Sequence, residues 1–387
     1  MPPEVFLADA LDLSSGKSIA AGGDGLYPVY GSAGIIGSAE SPLYQRGIII
    51  GRVGAYCGAV EMSERPFWAS DNTIVATPKE SYDLRFMYYL LAHLDLRRYA
   101  GGAAQPLMTQ TVIKGLRARI APLPTQRKIA AILSAYDDLI ENNARRIGIL
   151  EEMARLLYRE WFVDFRFPGH ESVAMVDSPL GPLPEGWALS KLGTVADTNA
   201  VTLRPASAPD AIHYVDIKSV SPGRIDKVEP MLFREAPGRA RRVVAHGDTI
   251  WSSVRPNRRS YCLILLPAEN LIVSTGFTVI AARHVPYSYL YCAVTTDEFV
   301  GYIVGRTTGA AYPAVTAADF ESATVLLPPP EILDSFHDTV ADMLSLCDGL
   351  HRQNSNLRQT RDLLLPRLIS GEIDVTDLDI NTEGLAA

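Results

Sequence analysis

The stretch Leu133-Ser134-Ala135-Tyr136-Asp137-Asp138-Leu139-Ile140-Glu141-Asn142-Asn143 returns later in the chain as Leu344-Ser345-Leu346-Cys347-Asp348-Gly349-Leu350-His351-Arg352-Gln353-Asn354. Leucine, serine, aspartate, leucine and asparagine are each displaced by 211 positions (344 − 133). Each copy follows a proline-marked break and lies deep in a stretch with helical apolar periodicity. The repeat continues outside the helices: Gly101-Gly102-Ala103-Ala104-Gln105-Pro106 parallels Thr308-Gly309-Ala310-Ala311-Tyr312-Pro313, and Pro122-Leu123-Pro124 parallels Pro328-Pro329-Pro330. A period near 200 residues means duplicated domains, since solenoid repeats are several-fold shorter.

The periodicity around each copy predicts a long helix. Ile129, Leu133, Tyr136, Ile140, Asn143, Ile147, Leu150, Ala154, Leu157 and Trp161 recur in steps of three and four. That is a heptad seam, which demands a partner helix along its length. Thr125 can cap its first turn, and Pro168-Gly169 is expected to end it. Residues 330–369 carry a second seam through Leu333, Phe336, Val340, Met343, Cys347, Leu350, Leu357 and Leu364, interrupted by Asn354 and Arg361. The two helices are expected to satisfy one another as an antiparallel coiled coil. Asn143 and Asn354 would then set its register, or else face water.

Between the helices the chain lacks helical periodicity, and short β-branched runs suggest strands: Gly47–Gly51, Asn72–Ala76, Leu271–Ser274 and Tyr214–Ile217. Helices are expected at Asp83–Arg98 and at Val285–Val304. The resulting expectation is an α+β chain of two mixed α/β domains in tandem, separated by the two long helices and related by pseudo-twofold symmetry. Its segments are a first domain at 1–124, a central helix at 125–168, a second domain at 169–328, a C-terminal helix at 329–370 and an acidic tail at 371–387. Trp68 and Trp187 are expected in cores. Cys57, Cys262, Cys292 and Cys347 show no metal-ligand spacing, so they read as buried thiols and no metal is expected. No apolar run is long enough to span a bilayer, and a soluble cytoplasmic protein is expected.

Net charge is −8, but it is unevenly spread. Residues 331–387 hold four Arg and eleven acids (4 − 11 = −7), whereas 218–260 hold ten Lys or Arg against four acids (10 − 4 = +6). Binding phosphate needs only a local basic face, so the whole-chain charge does not exclude nucleic acid. The basic window contains Lys218, Arg239, Arg241 and Arg242, candidates for phosphate contact, and the cluster Arg255, Asn257, Arg258 and Arg259. Members of that cluster suit base readout or phosphate anchoring, because Arg can grip guanine and Asn adenine through paired hydrogen bonds. Arg52 looks like the counterpart of this cluster in the first domain. Tyr27, Tyr30, Ser32, Gln105 and Tyr312 lie in glycine-flanked loops that could enter a groove.

These blocks resemble the specificity subunit of type I restriction–modification systems. The likeness is carried by Leu183-Pro184-Glu185-Gly186-Trp187 with Leu192-Gly193, by Tyr27-Pro28-Val29-Tyr30-Gly31 through Gly37, by Gly247-Asp248-Thr249-Ile250-Trp251 through Asn257, and by Arg367-Leu368-Ile369-Ser370-Gly371-Glu372-Ile373. One departure is the opening Pro2-Pro3-Glu4-Val5-Phe6, where the family shows an opening like that at 184–187. The resemblance implies two target-recognition domains that each read half of a split double-stranded DNA target, held apart by the helices. It also implies docking of two adenine-methylating subunits and, through them, motor-nuclease subunits, with no cofactor and no catalytic residue in this chain.

Two other readings stay open. Asp210, Asp216 and Lys218 superficially match the acids and lysine of a metal-dependent nuclease, although their spacing leaves little room for a shared Mg²⁺. The third reading is a coiled-coil scaffold that never touches DNA. No phosphate-cradling loop and no methyltransferase signature occurs, so motor and methyl-transfer chemistry are not expected in this chain.

Overall fold

The computed structural model describes residues 3–19, 25–102, 105–179, 181–309 and 312–382. Pro2, the alanines 103, 104, 310 and 311 of the repeat, and 383–387 of the acidic tail lie outside the described residues. The chain divides into two compact units, one formed by residues up to 141 together with those from 354 onward, the other by 142–353. The division passes through both long helices, where the sequence suggested separate spacer segments.

Unit 1 is built around the strand Gly47–Gly51, buried along its whole length. Three consecutive isoleucines can be buried because both faces of this strand are covered, and each contributes ~1.5–3 kcal/mol. It is the third strand of an antiparallel four-stranded sheet in the order Leu11–Ser15, Thr73–Pro78, Gly47–Gly51, Val60–Ser63. A smaller sheet orders Gly34–Ala39, Tyr27–Gly31 and Trp68–Ala69, the last two parallel. Glu4–Phe6 pairs with Arg117–Arg119 and closes the unit.

Unit 2 repeats this plan. Its four-stranded sheet runs Ala196–Thr198, Phe277–Ala282, Thr249–Ser252, Tyr261–Leu263, again with a fully buried third strand. Its second sheet sets Ala211–Val215 antiparallel to Glu229–Leu232 and parallel to Leu271–Ser274, and adds Ala240–Val243. Ala188–Lys191 pairs with Thr324–Leu327, as Glu4–Phe6 does with Arg117–Arg119 in unit 1. Trp251, fully buried, gives its indole N–H to the Val294 carbonyl at 2.9 Å. The strand expected at Tyr214–Ile217 is Ala211–Val215, because Asp216 turns the chain into a short 3-10 helix.

Two expected helices are shorter than their periodicity suggests. Leu84–His93, capped by Asp83, ends before Asp95, which takes a left-handed φ of 48°, and Leu96–Tyr99 forms a 3-10 turn. Val285–Val304 is split into Tyr287–Thr295 and Asp297–Gly305. At Thr296 the backbone is extended and the hydroxyl accepts from the Phe299 amide at 3.1 Å. A threonine that can cap a new helix competes with continuation of the old one.

The central helix spans Leu123–Phe162 and the distal helix Pro330–Ser370. The central helix stops short of Pro168: Phe165 takes a φ of 56°, Arg166 turns back onto Glu160 at 2.5 Å, and Phe162, Phe165 and Phe167 close around the buried Trp187. In unit 1 the two helices meet where Asn354 Nδ2 donates to the Ile140 carbonyl at 3.2 Å and Arg361 pairs with Asp137. In unit 2 Asn143 Nδ2 donates to Gln353 Oε1 at 3.1 Å, and Ile147 packs with Cys347 and Leu350. Residue numbers rise on one helix as they fall on the other in both places, which is antiparallel pairing. Asn143 and Asn354 are both buried. The tail also contributes: Val375 is buried in the unit 1 core, and Lys128 donates to the Thr376 carbonyl at 2.6 Å. All four cysteines are buried and free. Among the described residues no helix is long and apolar enough to cross a membrane.

The repeated aspartate ties each helix pair to its own unit. Asp137 accepts from the Tyr89 hydroxyl at 2.5 Å and holds Arg361. Burial works against the Arg361 charge, but its bonds to Asp137 and Asp362 win and raise its pKa. Asp348 holds Arg352, whose guanidinium donates to the carbonyls of Leu265 and Leu266. Asp137→Ala is expected to cost about 2 kcal/mol by leaving the Tyr89 hydroxyl and Arg361 without this acceptor. Urea unfolding of the full chain checks it against the exposed neighbour change Asp138→Ala, expected to cost less than about 0.5 kcal/mol.

Candidate nucleic-acid interface

In each unit the buried third strand runs out into a one-turn 3-10 helix, Gly54–Tyr56 in unit 1 and Pro256–Arg258 in unit 2. A closed loop lies against each turn. In unit 1 Gly101 and Leu107 exchange backbone bonds of 3.0 and 2.8 Å, Met108 N–H donates to Arg52 O at 2.8 Å, and Gly54 N–H donates to Pro106 O at 3.3 Å. In unit 2 Thr308 and Ala314 exchange bonds of 2.9 and 3.0 Å, Val315 N–H donates to Ser253 O at 2.9 Å, and Arg255 N–H donates to Pro313 O at 2.8 Å. The two patterns are the same.

That pattern fixes which residues correspond. Gly54 stands where Arg255 stands, with φ of 74° and 50°, and Gln105 stands where Tyr312 stands. Arg52 corresponds to Ser253, two positions before Arg255, so the expected equivalence of Arg52 with the arginine cluster is corrected. Its peptide N–H bonds the Asn72 carbonyl at 2.9 Å, and its guanidinium lies 3.5 Å from the Asp71 carbonyl.

Unit 2 gathers its candidates on one surface. Arg255 lies over the ring of Tyr312, 5.2 Å from its centre, and that tyrosine is 71% exposed. Asn257 and Arg258 are exposed beside them. Arg259 is different: its guanidinium bonds Asp297 at 2.5 Å, which raises its pKa and anchors the turn to the helix behind it. Both Arg255 and Arg259 hold left-handed backbone, at a cost of order 1–2 kcal/mol each for residues with a Cβ.

Unit 1 supplies different side chains at the same place. Gln105 is exposed, and so are Tyr56, Arg97, Arg98 and Tyr99. Arg97 donates to the Ala55 carbonyl at 2.9 Å, which brings the Arg97-Arg98-Tyr99 run onto the Gly54–Tyr56 turn. Reading for charge windows missed this run; the available signal was a basic pair followed by an aromatic just before the glycine loop. Ser32 joins Arg52 at one carbonyl, donating to Asn72 O at 2.6 Å. Tyr27 is half-buried, whereas Tyr30 belongs to a core, with its ring edge-on to Phe67. Trp187 is buried as expected, and Trp68 is half-buried with its indole donating to the Lys17 carbonyl at 3.0 Å.

Of the four phosphate candidates, Arg241 and Arg242 lie on strand Ala240–Val243 of the second sheet of unit 2, Arg239 just precedes that strand, and Lys218 sits in the 3-10 turn that follows Ala211–Val215; they are unequally free. Lys218 is exposed. Arg241 lies over Phe233 at 5.1 Å and donates to the Ala240 carbonyl. Arg242 is half-buried and donates to Thr202 Oγ1 at 2.9 Å; burial lowers its pKa. Arg239 donates to the Tyr214 hydroxyl at 3.1 Å and is paired with Asp216. Burial opposes the Asp216 charge, but bonds from Arg239 and from the Lys218 and Ile217 amides outweigh it and hold the carboxyl below its ordinary value. This carboxylate is therefore taken up by structure, and the extended strand Ala211–Val215 stands between Asp216 and Asp210, the two acids of the nuclease-like string. Asp216→Asn is expected to remove an acid-sensitive contribution to stability. That contribution is complete above the unfolded carboxylate range near pH 4 and drains as pH falls through the lower folded value. The difference in urea midpoint between Asp216→Asn and the unaltered chain should therefore shrink from pH 6 to pH 2.

Residues 5–152 match the model of the type I restriction modification DNA specificity domain. The chain is 24% identical over 349 residues to the type I restriction enzyme MjaIX specificity subunit of Methanocaldococcus jannaschii, covering 87% of this chain and 80% of that one. It is 21% identical over 380 residues to the HindI specificity subunit of Haemophilus influenzae, covering 78% and 82%. Among solved structures, the S subunit of a type I restriction–modification system from M. genitalium shares the fold with a TM-score of 0.65 at 16% identity, over 95% of this chain and 96% of that one. The family model covers only the first copy of the repeat; unit 2 reproduces the sheet order and loop closure of that copy.

Proposed function

Because the chain belongs to the specificity subunits of type I restriction–modification systems, which recognise DNA and do not catalyse, we propose that it reads a bipartite duplex, one half-site per unit, and docks two adenine-methylating subunits on its helices. The observation that carries this reading is the duplicated turn and loop, with the half-buried Arg255 and the exposed Asn257, Arg258 and Tyr312 on one copy and the exposed Gln105, Arg97 and Arg98 on the other. The same backbone with different side chains suits two readers of different sequence. Arg255 and Asn257 are assigned to base edges, Lys218, Arg241 and Arg258 to phosphates, and Arg239, Arg242 and Arg259 to holding the loops in shape. Tyr30 is assigned to the core.

For the methylating subunits, support comes from the central helix. Ile149, Met153 and Leu156 are exposed at helical spacing on the part of that helix that belongs to unit 2, and the exposed Val163 follows just beyond its end. An apolar stripe that the chain itself leaves uncovered suits a protein partner. Motor-nuclease subunits would join through the methylating subunits, and the complex would work in the cytoplasm, where the DNA is.

Arg255→Ala is expected to relax one half-site by about tenfold or more in discrimination while leaving the other strict. Competition binding of the chain, assembled with its methylating subunit, to duplexes altered at single positions checks this; equal loss on every duplex would assign Arg255 to phosphate instead. The helices, continuous from one unit's residues into the other's, are read as the element that sets the gap. A matched insertion of seven residues after Asn143 and after Gln353 adds about 10 Å of helix, close to three base pairs. The expected result is a longer tolerated gap with both half-sites unchanged, read from the methylated-adenine motif of a host carrying the variant. Altered half-site letters would refute the spacer role.

A further inference from the structure

The hairpin of unit 1 formed by Tyr27–Gly31 and Gly34–Ala39 turns through only Ser32 and Ala33. Val29 pairs with Gly37 and Tyr30 with Ile35, so Ile36 is an extra residue on its strand, a β-bulge. A regular strand sends successive side chains to opposite faces, and a bulge re-aims one of them. Both isoleucines are exposed as a result, Ile35 to 63% and Ile36 to 50%. Gly31 makes room for this arrangement, because a Cβ there would come within 2.9 Å of Ile36 Cγ2. The only hydroxyl at the tip is already engaged, since Ser32 donates to Asn72 O. The side chains of Ala33, Ile35 and Ile36 are aliphatic and carry no hydrogen-bonding group.

The tip is continuous with the proposed DNA surface, because Asn72 O also accepts from the peptide N–H of Arg52. A two-stranded β-ribbon fits the major groove, where the one aliphatic group on any base edge is the C5-methyl of thymine. The equivalent strand of unit 2 leads elsewhere: after Ala211–Val215 the chain carries Asp216, Lys218, Arg224, Asp226 and Lys227 before its partner strand begins.

We infer that this hairpin is a major-groove probe that reads the methyl group of a thymine through Ile35 and Ile36, in the half-site that Arg255→Ala leaves strict. The inference rests on unit 1 being a DNA reader, and its test separates the two ideas. The probes are duplexes carrying the mapped methylation motif, with each thymine in turn replaced by deoxyuridine, which removes the methyl and keeps the hydrogen-bonding edge. The full chain with its methylating subunit is expected to lose about fourfold in affinity at one such position in that half-site, the factor for one buried methyl-sized group. The double change I35A/I36A is expected to bring the thymine duplex down to the deoxyuridine value, so that their ratio becomes one. A ratio of one in the unaltered chain, or a ratio that survives the double change, overturns the inference while leaving bipartite recognition standing. Failure of I35A/I36A to join its methylating subunit, with the ratio intact, also overturns it and makes the hairpin a protein-docking surface. Absence of any bipartite preference in the unaltered complex removes the parent reading as well.

Discussion

A buried amide must find a hydrogen-bond partner, and Asn143 and Asn354 meet that demand inside the apolar seam of the paired helices. Asn354 reaches the Ile140 carbonyl and Asn143 the Gln353 side chain. Sliding either helix by one turn would take Asn143 away from the Gln353 side chain and Asn354 away from the Ile140 carbonyl, and a buried amide that finds no new partner costs ~1–3 kcal/mol. One alignment is thereby preferred over the others that a uniformly apolar seam would allow. The effects of that alignment are local to each unit. Arg361 comes opposite Asp137, which also receives Tyr89, and Cys347 comes opposite Ile147. Each unit thus takes its own end of both helices into its core, as Leu133 and Leu368 show in unit 1 and Trp161 and Phe336 in unit 2.

Much of this was legible in the sequence because it is periodic. A seam sustained over forty residues reports its own helix, and Gly47–Gly51 and Leu271–Ser274 match the strands that β-branched runs suggested. The less legible parts depend on partners distant in sequence. Thr249–Ser252 is as buried as Gly47–Gly51, but tryptophan and serine do not advertise a central strand; they fit because Trp251 finds the Val294 carbonyl. Apolar spacing through 285–304 could not show that Thr296 would cap a second helix. The acidic tail was read from its charge alone, whereas its structural role rests on Val375, with Ile373 and Ile380 packed against the same core, and on the Lys128 bond to Thr376.

The candidate site was legible in composition and misjudged in correspondence. A charge window finds Arg255, Arg258 and Lys218, which are accessible, together with Arg239 and Arg259, which are tied to Asp216 and Asp297. Those acids lie 23 and 38 residues away in the chain, so no local window could pair them. The match of Arg52 with the later cluster failed for a related reason. Loop closure by backbone bonds, rather than the position of an arginine after a glycine, decides which residues are equivalent.

The same closure governs how recognition can diverge. The position held by Gly54 in one unit and Arg255 in the other has a left-handed backbone in both. Glycine adopts it without penalty, whereas for arginine it costs of order 1–2 kcal/mol. The conformation is therefore imposed by the bonds to Pro106 and Pro313, and the side chain is free to differ. Where a scaffold over-determines its turn, a costly residue can be retained for what it does at the surface. Arg255, extended over Tyr312 on a turn where glycine would be more stable, has the features of such a residue. Gly54, carrying no side chain at all, leaves the equivalent task in unit 1 to neighbours that reach the same turn from elsewhere in the chain.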